Sequence, residues 1–436
     1  MKKAYHCKRC WLATCMGQGP AVWVALLGLP TVVAAVTLTT NRGLTYCAIS
    51  LAGILVAVLV SLSMRQARYV QYAVVAGFII RVLVLALLIL DAWSTTGEAY
   101  YLRGGDAANY HTWAQVIIST GQVGLGGTAI PFSHVVAGIY RIFGPDPNIV
   151  DLLNLCVSLL LIPLVAELGT RCGGRQAGVI SGWLVCLHPS LVLWSISGVK
   201  DVWIVLGAVL VAFMITSMAA GKHRLSDSLK LAVGALLLVW LRYQLVLSLV
   251  LALGATAVSC SRGYMRRGSK LFLTLAVVIA VVLTIMSPVG QRAVNLVGRS
   301  LQEDSWEGAQ ATALSGGSGI ALLSRVPARA RWIAQLPYVL LAPFPWQWMT
   351  VGSGINRLVS LEMALWYLFI AGMLARKRVW MDNSVSKSLI IWALSIALAV
   401  SFSLPNLGSI HRYRVSATVV VIPLMSQVLV ASRKRV

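Results

Sequence analysis

Acidic residues are scarce in this chain, with 13 Asp and Glu among 436 residues against 36 Lys and Arg. Charged residues of both signs reach only 11%, under half the roughly 25% of a soluble globular domain, while apolar residues reach 58% and mean hydropathy is +0.81. That shortage excludes a soluble domain longer than a loop. Internal repeats are missing too, which removes the repeated halves that many transporters show. What fills the sequence instead is a series of apolar runs of about 18 residues or more, the length of transmembrane helices. The pattern predicts an all-α, polytopic transmembrane bundle of about 12 spans.

The spans are predicted near 21–40, 44–63, 70–90, 149–169, 176–194, 201–220, 228–241, 243–259, 271–288, 358–375, 388–405 and 413–431. Arg242 interrupts the segment 228–259. The start, MKKAYHCKRCWLATC, is basic, but the long apolar run and further spans after it read as an anchored first helix and not a cleaved leader. Threading the membrane with both termini inside puts 22 of the 36 Lys and Arg in the tails and short cytoplasmic loops. RQAR, RCGGR, GKHRLSDSLK, CSRGYMRRGSK and ARKR all fall there, as positive-inside topology requires. The net charge of +23 is therefore mostly orientation and contact with anionic lipid, and nucleic acid is not an expected partner. The threading holds only if 129–143 and 333–350 do not cross; both are short and contain Pro, as interfacial or re-entrant helices do.

No cysteine falls in a predicted outer loop, so no disulfide framework is implied. His6 and Cys7 with Cys10 and Cys15 form a lone CxxC on a short tail, too little to support zinc, and no metal ligands are assigned.

The same threading gathers the unusual polar motifs on the extracytoplasmic side. RGGDAANYHTWA carries Asp106 in the first large polar break, followed by a predicted helix on which Asp106, Tyr110 and Ala114 share a face and His111 lies alongside. In a chain this poor in acids, an acid there is a candidate for chemistry; the plainer reading is a helix N-cap. Lys200 and Asp201 open a helix after LHPSLVLWSISGV, either as an ion pair complementing the helix dipole or as a cation aimed at phosphate and oriented by Asp201. Arg242 and Tyr243 mark another outer loop, and Arg325, Arg329 and Arg331 a longer one. His411, Arg412 and Arg414 mark the last. Arginine suits a phosphate or pyrophosphate through bidentate bonding, although snorkelling to lipid head groups accounts for some of the six. PFPWQW reads as an interfacial anchor, with Trp346 and Trp348 also able to stack on a sugar. Arg81 and Glu362 lie within predicted spans, where a charge costs roughly 2.5–3.5 kcal/mol, so each needs a partner.

A span, an outer loop with GGDxxxY (Gly104 to Tyr110) and a parallel helix resemble the GT-C superfamily of membrane glycosyltransferases. So do IYRIFG at 139–144, LLNL at 152–155, the Gly-rich cytoplasmic turn and HPSLVLWS followed by KD. PFPWQW with the later LE, and NLGSIHRYR before the last span, look like membrane proteins of bacterial polysaccharide clusters. The resemblance covers about 70–430. Residues 1–69, a cytoplasmic tail and two helices, look like an addition to a catalytic module at 70–436 with outer loops 91–148 and 289–357. It implies a GT-C-like fold with extracytoplasmic juxtamembrane helices, in the bacterial cytoplasmic (inner) membrane.

The implied activity is transfer of a sugar from a polyprenyl-phosphate-linked donor to a glycan or lipid-linked acceptor on the extracytoplasmic face. By position, Asp106 matches the first-loop acid that serves this superfamily as general base or metal ligand. Lys200, Asp201 and the outer arginines match groups that hold the lipid phosphate. Many members carry a second acid next to the first, whereas Asp106 stands between Gly105 and Ala107. A metal-free base is therefore the expectation, with Mg or Mn as the alternative. A polymerase joining lipid-linked repeat units would use similar arginines, and product length separates the two. A transporter of lipid-linked glycans fits less well, because the polar residues lie in outer loops, with only Arg81 and Glu362 deep.

Overall fold

The computed structural model describes residues 43–64, 68–97, 105–121, 130–222, 224–264, 326–348, 354–402 and 407–433, with four single positions between 291 and 298. Every regular element among them is helical. Six helices are long and apolar enough to cross a membrane, and two shorter apolar helices accompany them. Ten of the predicted spans coincide with helices; those at 21–40 and 271–288 lie outside the described residues.

Helices α1 (Gly43–Ser63) and α2 (Arg68–Thr96) pack on α5 (Pro147–Leu187), which with α7 (Asp201–Ala219) is largely buried in the bundle. As a straight rod, the 41 residues of α5 would extend about 60 Å, twice the hydrocarbon thickness of a bilayer. They do not run straight. Gly174 has φ +79 and ψ −175, which breaks the helix and reverses it. A Cβ on Gly178 would meet Thr170 and the Ala166 carbonyl, and one on Gly169 would meet Ser181 and the Ala177 carbonyl. Those pairings are antiparallel, so α5 is two arms folded on each other at the predicted RCGGR turn. Small residues permit the close approach, as in other membrane helix pairs. The second arm ends at Leu187, and α6 (Pro189–Trp194) follows across His188, because Pro189 cannot continue a helix. The span expected at 176–194 is thus broken at His188.

Leu155, Leu159, Leu161, Ile162 and Val165 of α5 and Val209, Val211 and Phe213 of α7 are all buried, the mark of helices enclosed on every side. Leu83, Leu87 and Leu90 of α2 and Leu229 and Leu236 of α8 (Leu225–Leu241) face outward, where lipid replaces protein. Two helices of 14 residues, α4 (Ile130–Phe143) and α10 (Ala328–Leu341), match the stretches expected not to cross. At about 21 Å each is shorter than the hydrocarbon core. Helix α4 packs on α3 (Asp106–Thr120), where Phe132 meets the Tyr110 ring edge-on with centroids 5.0 Å apart.

The remaining helices are α9 (Leu245–Tyr264), α11 (Gly354–Ala375), α12 (Lys377–Met381), α13 (Ser384–Ser401) and α14 (Leu407–Arg433). Side-chain bonds sort the loops into two ends. At one, Asn383 donates to the Cys172 carbonyl at 3.0 Å, Ser384 to the Ala219 carbonyl at 2.9 Å, and Gln427 to the Val379 carbonyl at 3.2 Å. Arg171, Lys222, Arg376 and Lys377, all expected to be cytoplasmic, cluster with these residues. At the other end, Tyr46 donates to Asp146, which also caps α5, and Arg412 reaches Asp106. The loops that the charge pattern assigns to one face thus share one end of the bundle.

Candidate functional site

Gly105 has φ +85, a conformation that favours glycine, and it turns the chain into α3. The N-cap is thus Gly105, and Asp106, read from sequence as a possible N-cap, is the first helical residue. Its carboxylate, 43% exposed, pairs with Arg412 of α14. On the opposite wall, the turn SISGVK brings Lys200 to the start of α7. Gly198 (φ +65) donates its N–H to Asp151 at 2.5 Å. Asn154, one turn further along α5, donates to the Val199 carbonyl at 3.0 Å and accepts from Trp203 at 2.7 Å. A Cβ on Gly198 would lie 3.3 Å from that of Ala107, so the turn sits directly against the residue after Asp106.

Asp201 is the anchor of the cluster, with 4% of its side chain exposed. Its Oδ1 accepts from Arg242 at 3.2 Å, and its Oδ2 lies 3.0 Å from Arg412 Nε. Arg242 lies flat over the Tyr413 ring, 3.5 Å from its centroid. Arg412 thus stands between Asp201 and Asp106, with the Tyr413 and Trp194 rings 5.4 and 5.9 Å away. Lys200, 5% exposed, lies in the field of all four charged groups. Burial, Arg242 and Arg412 pull its pKa down to about 8, against the opposing pull of Asp201 and Asp106. Burial raises the Asp106 carboxyl, but Arg412, Lys200 and Arg242 outweigh it and hold the group below its ordinary range. Tyr110, buried beneath Asp106, is pushed up by burial and by both carboxylates, so its hydroxyl stays protonated.

Other expected site residues go elsewhere. His111 pairs with the Tyr140 hydroxyl at 2.8 Å and joins α3 to α4. Tyr243 forms part of the turn between α8 and α9, where its carbonyl accepts from Val246, and the ring beneath Arg242 is that of Tyr413. Arg331 donates to the Val326 carbonyl at 2.7 Å. Arg325 and the Arg329 side chain lie outside the described residues. His411 and Arg414 lie on the other side of α14. His411 Nε2 is 3.6 Å from Glu362, and Arg414 donates to the Ala342 carbonyl. Residues 412 and 414 are about 200° apart around a helix, so both cannot face Asp106.

The two intramembrane charges are also partnered separately. Glu362 accepts from Ser190 N–H at 2.9 Å and from its hydroxyl at 2.5 Å, and lies 3.4 Å from His188. Arg81 donates to the carbonyls of Gly77 and Cys186 at 3.0 and 3.2 Å. The polar residues that sequence reasoning passed over are Asp151 and Asn154, which hold the Lys200 turn. Their signal was an acid and an amide one helical turn apart at the start of an apolar run.

Both carboxylates face the Arg412 guanidinium. Among the described residues, no three His, Cys, Asp or Glu side chains gather as metal ligands. What the cluster does offer is a half-exposed carboxylate beside three cations, Lys200, Arg242 and Arg412. Two carboxylates against three cations leave a positive surplus, which suits an anionic ligand next to a proton acceptor.

No family model matches the chain, and no curated protein does. Among solved structures, it is similar to an archaeal oligosaccharyltransferase, AglB from Archaeoglobus fulgidus, in complex with an inhibitory peptide and a dolichol-phosphate. The two are 13% identical with a TM-score of 0.44, and the match covers 83% of this chain and 50% of that one. The chain therefore spans about half the length of that protein, and so loose an overlap carries no argument about the site.

Proposed function

We propose that this protein is an integral membrane glycosyltransferase. It takes a sugar from a polyprenyl-phosphate-linked donor and places it on a glycan or lipid-linked acceptor at the extracytoplasmic face. The observation that carries the reading is the convergence of Asp106, Lys200, Asp201, Arg242 and Arg412 at the end of the bundle away from the basic loops.

In the proposed reaction the acceptor hydroxyl attacks the anomeric carbon from the side opposite the phosphate, with inversion. Asp106 takes the hydroxyl proton, the new C–O bond forms, and the bond from the anomeric carbon to the phosphate oxygen breaks with its electron pair. The leaving group is already a phosphate and needs charge stabilisation more than a proton. Lys200, Arg242 and Arg412 supply that stabilisation in a water-poor site. Asp201 fixes the two arginines, and Tyr110 supports the base from below.

The test is transfer in proteoliposomes, using a panel of polyprenyl-phosphate sugars. Wild-type protein is expected to release one polyprenyl phosphate per sugar transferred, and Asp106→Asn to lose turnover while remaining folded. Full turnover by Asp106→Asn would remove the base. Sugar crossing the membrane with no bond formed would make the protein a transporter.

A further inference from the structure

In the site as it stands, the proposed base is paired with an arginine, which makes it a poor proton acceptor. The pairing is uneven. Asp201 and Arg242 are both about 5% exposed and brace each other, whereas Asp106 is 43% exposed and meets the cluster through Arg412. Arg412 Nε is buried and lies 3.0 Å from Asp201 Oδ2, yet neither atom has an aligned hydrogen-bond partner. The guanidinium is therefore held to Asp201 by charge and not by an aligned hydrogen bond, and its Nη2 donates to Asp106. The cluster also carries one more cation than carboxylate.

We propose that the phosphodiester of the donor replaces the Asp106 carboxylate on Arg412, so that arrival of the donor releases the base. The proposal rests on the transferase reading and adds an order to it: donor phosphate first, acceptor deprotonation second. The anion would sit against Arg412 and Lys200, with Arg242 behind. Arg412 would keep its anchor on Asp201 while its Nη2 changes partner. Asp106, no longer facing a guanidinium, would regain proton affinity next to the acceptor hydroxyl. No bond is made or broken in the exchange, and only the partner of one guanidinium changes. Without donor the carboxylate stays engaged, which guards against wasteful proton removal.

This gives an unusual expectation: the variant that destroys turnover should bind phosphate better. Calorimetry with inorganic phosphate and with farnesyl phosphate, on the full chain in zwitterionic nanodiscs, tests it. Asp106→Asn removes the competing carboxylate, so both ligands should bind roughly 2- to 5-fold tighter than to wild type, the weight of a half-exposed ion pair. Asp106→Ala should behave the same way, which guards against an effect peculiar to the amide. Asp201→Asn should weaken both ligands, because Arg412 loses its anchor. Unchanged or weaker binding by both Asp106 variants would overturn the exchange. Farnesyl phosphate carries the phosphate of the leaving group, and adding phosphatidylglycerol to the discs should leave its binding in place; complete displacement would assign the seat to bulk lipid phosphate and overturn a seat for the donor. The outcomes separate the two readings. Tighter phosphate binding without any wild-type sugar transfer would keep the exchange and remove the transferase. Transfer without tighter binding would do the reverse.

Discussion

Two carboxylate–arginine clusters lie at opposite ends of this bundle, and they are built differently. At the basic end, Asp227 is fully buried and accepts from Arg171 at 3.1 and 3.2 Å, from Lys230 at 2.9 Å and from Ser217. Arg171 spends its remaining hydrogens on the Phe213 carbonyl and on Thr216 and Ser217, and lies over the Phe213 ring. Each charge there is met several times by the protein, which is how a structural ion pair offsets its desolvation. At the other end, Asp106 is half exposed and Arg412 Nε lacks an aligned acceptor. A closed network holds helices together, whereas an open one has room for a ligand. On the proposed reading, the same residue types serve stability at one end and chemistry at the other.

The comparison would break most visibly in a paired experiment. Asp106→Asn should lower turnover by roughly 10²–10⁴-fold, the usual contribution of a positioned base, without changing the melting temperature. Asp227→Asn should show the opposite: a loss of about 3–5 kcal/mol of stability with activity per folded molecule retained. If Asp227→Asn instead lost turnover while fully stable, the division between the two ends would fail. Next in size, Asp201→Asn should cost roughly 10–100-fold in kcat/KM, the weight of one charged hydrogen bond at a buried site. Steady-state kinetics at saturating acceptor would read it.

A pH profile sharpens the same contrast. Lys200 titrates at about 8 in the free protein, so it is charged below that pH and neutral above it. Donor capture, read as kcat/KM, should fall as pH rises through about 8, and Lys200→Arg should flatten that limb because arginine stays charged. An unaltered limb in Lys200→Arg would remove Lys200 from the anion seat. The smallest effect belongs to Trp346, 74% exposed and stacked on Phe344 with centroids 4.8 Å apart. Trp346→Ala should cost no more than about 1.5 kcal/mol of stability, the upper worth of such a pair. A large loss of transfer would bring that ring into sugar binding.

Much of the bundle was legible because membrane insertion writes itself into sequence. Apolar length marks the helices, and Lys and Arg mark the end on which each loop lies. The RCGGR turn was readable from its glycines, whereas the span predicted at 176–194 ran across Pro189, where the helix breaks. The candidate cluster was legible in part of its membership but not in its pairing. Asp106, Lys200, Asp201, Arg242 and Arg412 stood out as polar punctuation in apolar surroundings. That Arg412 enters the cluster while Arg414 and His411 turn to Ala342 and Glu362 depends on the rotation of α14, set by packing across elements far apart in sequence. Tyr413 lies in the same NLGSIHRYR motif, and only that rotation shows its ring beneath Arg242. Asp151 and Asn154 were hidden inside an apolar run, where their bonds to the Gly198 turn are visible only once the elements are together.

The most direct measurement is photo-crosslinking with a polyprenyl phosphate carrying a diazirine beside the phosphate, mapped by mass spectrometry on the protein in nanodiscs. The expected adducts lie near Asp106, around 198–203, near Arg242 and near Arg412 of α14, and excess unlabelled farnesyl phosphate should suppress them. Adducts concentrated around Arg171, Lys222 and Arg376, or spread along the lipid-facing helices without competition, would contradict a phosphate site at the Asp106 end.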